Sequence, residues 1–174
     1  MANASISRSE ARFKQLCCLG LGGEAVMPAL LKELHGLVPS MRSMFFFATA
    51  AGRLDHVYTE SIEHAPTTQL YLQEFHGRRD RFIPGMSFDD AMRDQFGVYD
   101  LATMRVDEQA FRRTDFYNLL FRPVGRGSDY IRLVMRDHGH GLGMLTSFRE
   151  PGFKHFNRLK RTDSPVLNLF LCMP

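Results

Sequence analysis

The spacing of apolar positions changes along this chain, and each change marks an element. Phe13, Leu16, Cys17 and Leu19 recur at helical spacing, and the glycines of 20–23 close that run. Ser7 with Glu10 three residues on predicts a capping box at its start. Val26, Met27, Leu30, Leu31 and Leu34 form one stripe, predicting a second helix over 24–37 with Pro28 in its first turns. From residue 42 the period shifts. Residues 44–48 are a continuous apolar run of strand length, as expected for a strand covered on both faces. After a turn at 50–52, residues 54–60 alternate, with Leu54, His56 and Tyr58 on one face and Asp55, Val57 and Thr59 on the other. Together the two runs predict a β-hairpin.

The clearest alternation lies at 130–136. Ile131, Leu133 and Met135 point one way, Arg132 and Arg136 the other, which predicts a half-buried strand with one wet face. His138-Gly-His-Gly141 supplies a reversal, and the apolar run 142–148 returns as the second strand of a second hairpin. Between the hairpins the period is helical again. Leu70, Tyr71 and Phe75 mark a helix over 65–76, Ser87 caps a short helix, and Asp107-Glu108 opens one that runs to a stop at Pro123. Beyond Pro151-Gly152 come a basic stretch at 154–161 and an apolar one at 166–172.

The order predicts an α+β fold, an antiparallel sheet flanked by helices in the manner of GAF and PAS domains. At 174 residues it is expected to be a single domain over 1–174. Its parts are an N-terminal helical pair at 7–37, the sheet with its helical insert at 42–149, and a terminal segment at 153–174.

Composition narrows the function classes. A net charge of +3 is too mild to argue for nucleic acid. Three cysteines, two of them adjacent, make neither a disulfide framework nor a metal spacing. No apolar run is long enough to span a membrane, and the polar N-terminus is unlike a signal peptide, so a cytoplasmic location is expected. A serine-nucleophile elbow and a phosphate-binding loop are both absent, so no catalytic residue is assigned and an enzyme is not expected. His138 and His140 flank a turn glycine without further ligands beside them, so no metal site is expected.

Several segments resemble the N-terminal sensor region of LuxR-type bacterial transcriptional regulators. They are Phe13-Lys-Gln-Leu-Cys-Cys-Leu-Gly-Leu-Gly-Gly-Glu24, Met27-Pro-Ala-Leu-Leu31, Leu37-Val-Pro-Ser40, Leu70-Tyr-Leu-Gln-Glu-Phe-His76, Phe116-Tyr-Asn118, Arg122-Pro123 and Arg149-Glu-Pro-Gly152. The similarity covers roughly residues 12–156. It implies a GAF-like, signal-sensing regulatory domain; in those regulators a helix-turn-helix domain, absent from this chain, contacts DNA. A small-molecule ligand of unidentified kind is then expected between one sheet face and the insert. Phe45, Phe47, Tyr58, Tyr71, Phe75 and Tyr117 are the candidate ligand-binding residues, aromatic walls with a few polar tips. The same residues at these spacings are more often plain core, which leaves a ligand-free interaction module as the alternative. The stripe of the first two helices, with Leu30 at its centre, is the candidate seam of a homodimer.

Overall fold

Two hairpins, far apart in sequence, build one antiparallel sheet in a computed structural model of the chain. The residues described are 2–17, 19, 23–37, 40, 42–80, 87–93, 98–99, 101, 104–125, 130–137 and 140–149. Helices α1 (Ala2–Cys17) and α2 (Gly23–Leu37) precede strands β1 (Arg42–Ala48) and β2 (Leu54–Thr59). Next comes the insert: α3 (Ala65–Leu70), α4 (Phe88–Arg93), the two-residue strand β3 (Val98–Tyr99) and α5 (Glu108–Arg112). Strands β4 (Tyr130–Asp137) and β5 (His140–Phe148) follow, and the sheet order is β2-β1-β5-β4-β3. The fold is α+β, with helices on both faces of the sheet.

Strand pleating divides the core in two. Phe45, Ile131, Leu133, Met135 and Leu145 pack against Phe13 of α1 and Val26, Met27, Leu30, Leu31 and Leu34 of α2. Met44, Phe46, Tyr130, Val134, Met144 and Phe148 pack instead against Tyr71, Phe75, Phe88, Phe111, Phe116 and Phe121 of the insert. Leu30 therefore faces the sheet at 6 % exposure, so the stripe expected to make a dimer seam is core of this chain.

Three more expectations need correction. The helix α1 begins at Ala2, so Ser7 lies inside it rather than capping it. Strand β2 does not alternate strictly: its register against β1 shifts between Phe46 and Ala48, and this irregularity brings Leu54 onto the insert side together with Val57. Finally, the side of β4 expected to be wet is roofed by the insert, and Arg132 is only 4 % exposed. The cap expected at Ser87 does form, with Ser87 Oγ accepting from Asp90 N–H at 3.3 Å; Asp107, expected to open its helix through the dipole, also caps it by accepting from the Gln109 and Ala110 N–H groups at 2.7 and 3.2 Å. The readings of residues 138–139 and 153–174 lie outside the described residues.

Candidate functional site

The insert face of the sheet carries a cavity. Its floor is Met44 and Phe46 from β1, Arg132 from β4, and Met144, Thr146 and Phe148 from β5. Thr67, Thr68 and Tyr71 close one side, and Phe116, Leu120 and Phe121 close the other. Both helical walls depart from α geometry. After α3 the chain continues as a π-helix over Tyr71–Arg79 that breaks at His76 and Gly77, where Gly77 takes a positive φ of 66°. A second π-helical turn spans Tyr117–Phe121. Such turns re-aim side chains that a regular helix would place elsewhere, and they recur at functional sites. Water-sized centres have about 30 Å³ to occupy, room for about two water molecules.

The polar groups of this cavity are deeply buried. Arg132 and Thr146 are 4 % and 1 % exposed and sit directly opposite one another in the β4–β5 register. The Arg132 guanidinium lies 5.3 Å from the centre of the Tyr130 ring, on the same face of its strand. Thr67 donates its hydroxyl to the His64 carbonyl at 3.0 Å. The hydroxyls of Thr68 and Thr146 have no hydrogen-bond partner among the described residues. Burial, reinforced by the neighbouring Asp80, pushes the Tyr71 phenol well above its ordinary value, with Arg132 acting the other way. Tyr71 thus keeps its proton and donates it to Asp80 Oδ2 at 3.1 Å. His76 Nδ1 stands 3.8 Å from that same oxygen.

Of the six residues picked from sequence, Tyr71 lines the cavity. Phe75 lies in the same core, edge-on to Phe116 at 5.4 Å, and Tyr117 packs at the rim of that core, 5.5 Å from Phe111. Phe45, Phe47 and Tyr58 belong to the opposite face and pack on the α1–α2 side. The cause is strand parity: within 44–48 the wall residues are Met44 and Phe46, one position away from those chosen. Arg132, Thr146, Thr67 and Thr68 were missed. A signal for two of them was present, because Arg132 stands between Tyr130 and Val134, and Thr146 between Met144 and Phe148. A lone polar residue flanked at i±2 by large apolar ones belongs to a covered face, not a wet one.

A second polar constellation lies at the end of α2. His35 Nδ1 shares a hydrogen bond with Ser40 Oγ at 2.7 Å, and Nε2 bonds both Glu60 carboxylate oxygens at 2.8 and 2.9 Å. The hydrogen bond to Glu60 raises the His35 pKa, against the effect of burial. Serine, histidine and carboxylate are in contact here, as in a hydrolytic triad. Glu60, however, also takes the Ser43 N–H at 2.5 Å, which commits that backbone donor to the carboxylate instead of an oxyanion. What the arrangement does in this fold is tie the end of α2 to the start of β1 and the end of β2. Among the described residues no three His, Cys, Asp or Glu side chains come together to hold a metal. Among them, too, no helix is long and apolar enough to cross a membrane.

A scan against protein-family models and a search of curated proteins both find no match to this chain.

Proposed function

We propose that this chain is a small-molecule-sensing regulatory domain of GAF-like type, with the ligand held between the insert and the sheet. The observation that carries the reading is the cavity on the insert face, where the buried Thr146 hydroxyl has no hydrogen-bond partner among the described residues. A buried hydroxyl without a partner costs about 1–3 kcal/mol, and a sequence that only needed to fill its core would place Val at that position. The sheet order β2-β1-β5-β4-β3, with a helical insert between the two hairpins, supports the GAF-like assignment. Signalling follows from the layered core. Strands β4 and β5 carry cavity residues on one face and the contacts to α1 and α2 on the other. A ligand that separates insert from sheet favours one packing of these strands over another and shifts the population of helix arrangements.

The small size of the cavity favours a second reading, a ligand-free interaction module with a solid core. Native mass spectrometry of the freshly purified chain separates the two. The sensor reading expects a retained ligand mass, or a chain that takes up a small molecule with a rise in melting temperature. A chain that retains nothing, and that no member of a diverse small-molecule library stabilises, overturns it.

A further inference from the structure

We propose that helix α2 is clasped to strand β2 at both of its ends by histidine–carboxylate contacts, and that deprotonation of the two rings loosens the α1–α2 layer from this edge of the sheet. The clasp lies on the side where Phe47 and Tyr58 pack, and it uses none of the cavity residues.

The surroundings of the rings give the first argument. At the end of α2, His35 Nε2 bonds both carboxylate oxygens of Glu60, while Nδ1 meets the hydroxyl and the backbone carbonyl of Ser40. At the start of α2, His56 of β2 stands with Nδ1 3.1 Å from Asp55 Oδ2 and Nε2 3.0 Å from Glu24 Oε1. The Glu24 contact is at ion-pair distance without the alignment of a hydrogen bond, so charge rather than donor geometry holds it. Each imidazole thus has acceptor oxygens at both nitrogens, and only the protonated ring carries two N–H donors to meet them. A neutral His35 can keep Glu60 through Nε2–H and take the Ser40 hydroxyl proton at Nδ1. The Ser40 carbonyl then faces a lone pair, and the ion pair with Glu60 is gone.

Placement gives the second. Glu24 lies in the first turn of α2 and His35 in its last, the ends where the helix dipole favours a negative and a positive group. Their partners stand within β2 and one residue past its end, so the two contacts bracket the helix against an edge strand whose register on β1 already shifts. Between them Val26, Met27, Leu30, Leu31 and Leu34 still hold α2 to the core, so losing the clasp frees the ends of the contact rather than the whole helix. Helix α1 follows α2, since Arg12 pairs with Glu33 at 3.4 Å and Gly36 passes close against Ser9.

Neighbouring charges leave the two rings as the groups that respond. Glu60 is the charged group acting on His35, and its carboxylate also takes the Ser43 N–H of β1. Arg42 of β1 is engaged by Glu63 and His64, and Arg12 of α1 by Glu33. Around His56 stand Glu24, Asp55 and the Phe47 ring, stacked at 4.2 Å. The hydrogen bond to Glu60 raises the His35 pKa. Its share of the clasp is therefore complete below about pH 6.5 and is lost as pH climbs through the higher folded value.

Amide hydrogen exchange on the full chain, at about pH 6 and about pH 8.5 and corrected for the intrinsic rate, tests this. Opening at residues 32–37 and 56–60 is expected to rise about tenfold at the higher pH, as for one charge-assisted hydrogen bond lost. Low urea should leave that opening unchanged, because local opening exposes little surface. In a His35→Gln/His56→Gln double variant the rise should fall below about twofold, since glutamine carries no charge at either pH. Ring spectra by NMR should show both His35 nitrogens protonated at about pH 6, with the proton lost above about pH 6.5. Opening that does not change with pH, or that rises equally in the double variant, overturns the clasp. So does a rise that steepens with urea, which would mark a contribution to global stability alone. If the double variant fails to fold, the wild-type ring titration and the urea dependence decide the matter, and a His35 ring that titrates below about pH 6.5 refutes the inference.

Discussion

Gly143 stands at the middle of the sheet, paired with Phe47 of β1 on one side and Met135 of β4 on the other. A methyl group added there would press on the Phe46 carbonyl oxygen and stand 2.7 and 2.8 Å from two carbons of the Phe45 ring. The ring can shift; the carbonyl belongs to the β1 backbone and cannot. Gly143→Ala is therefore expected to act as overpacking, near the upper end of the usual range, about 3 kcal/mol. The ordinary effect of replacing a strand glycine with alanine has the opposite sign, a gain of about 0.4–1 kcal/mol where the backbone tolerates the side chain. For a chain of 174 residues a loss of that size lowers the melting temperature by about 9 °C. Circular dichroism melts and urea titrations of wild type and variant measure it. A second comparison in a Phe45→Ala background removes the ring contacts and leaves the carbonyl, so most of the deficit should remain. A variant that melts at or above the wild type would refute the β1–β5 register, and with it the division of the strands into two faces.

Two further substitutions probe the polar ties on the α1–α2 side. Ser43 and Ser147 are fully buried partners across β1 and β5, with their hydroxyl oxygens 2.9 Å apart. Changing either one to alanine leaves the other without that bond, at a cost of about 1–3 kcal/mol. The double variant should lose less than the sum of the two by about 1 kcal/mol in urea titration, and strictly additive losses would mean that the hydroxyls are not bonded. His35 has a raised pKa because it is hydrogen-bonded to Glu60. For a group whose folded pKa is raised, the stabilisation is fully present below its unfolded value of about 6.5 and disappears as pH climbs through the higher folded value. The stability gap between wild type and His35→Gln should therefore be largest at about pH 5–6 and shrink in alkaline solution. A gap that widens with rising pH would show that the ring is held neutral.

Most of the elements were legible in the chain because their apolar periods are long and their boundaries punctuated. The hairpin strands were expected at 44–48, 54–60, 130–136 and 142–148, and they lie at Arg42–Ala48, Leu54–Thr59, Tyr130–Asp137 and His140–Phe148. Ser87 was readable as a cap and Asp107 as a helix start, because each precedes a helical pattern with a side-chain acceptor or negative charge in place. What could not be read was the phase of β1. Residues 44–47, Met-Phe-Phe-Phe, are apolar on both sides, since β1 is covered by α2 on one face and the insert on the other. A strand buried on both faces gives no alternation from which to tell which residues look toward which layer. Only pairing breaks the tie, through Phe45 with Leu145 and Phe46 with Met144, and pairing is a property of the assembled sheet.

The β4 strand failed for a different reason. Reading Arg132 as a marker of solvent assumes that a charge goes where its hydration is kept, which holds for most arginines. Tyr130 and Val134 on the same face contradicted that assumption, and both are buried. In such a conflict the apolar neighbours are the stronger indicator. Two large side chains at i±2 require a covering layer, whereas one guanidinium can be accommodated beneath that layer if acceptors are brought to it. The position that breaks the local pattern is then the one whose burial needs a reason beyond packing, and here that position is in the wall of the cavity.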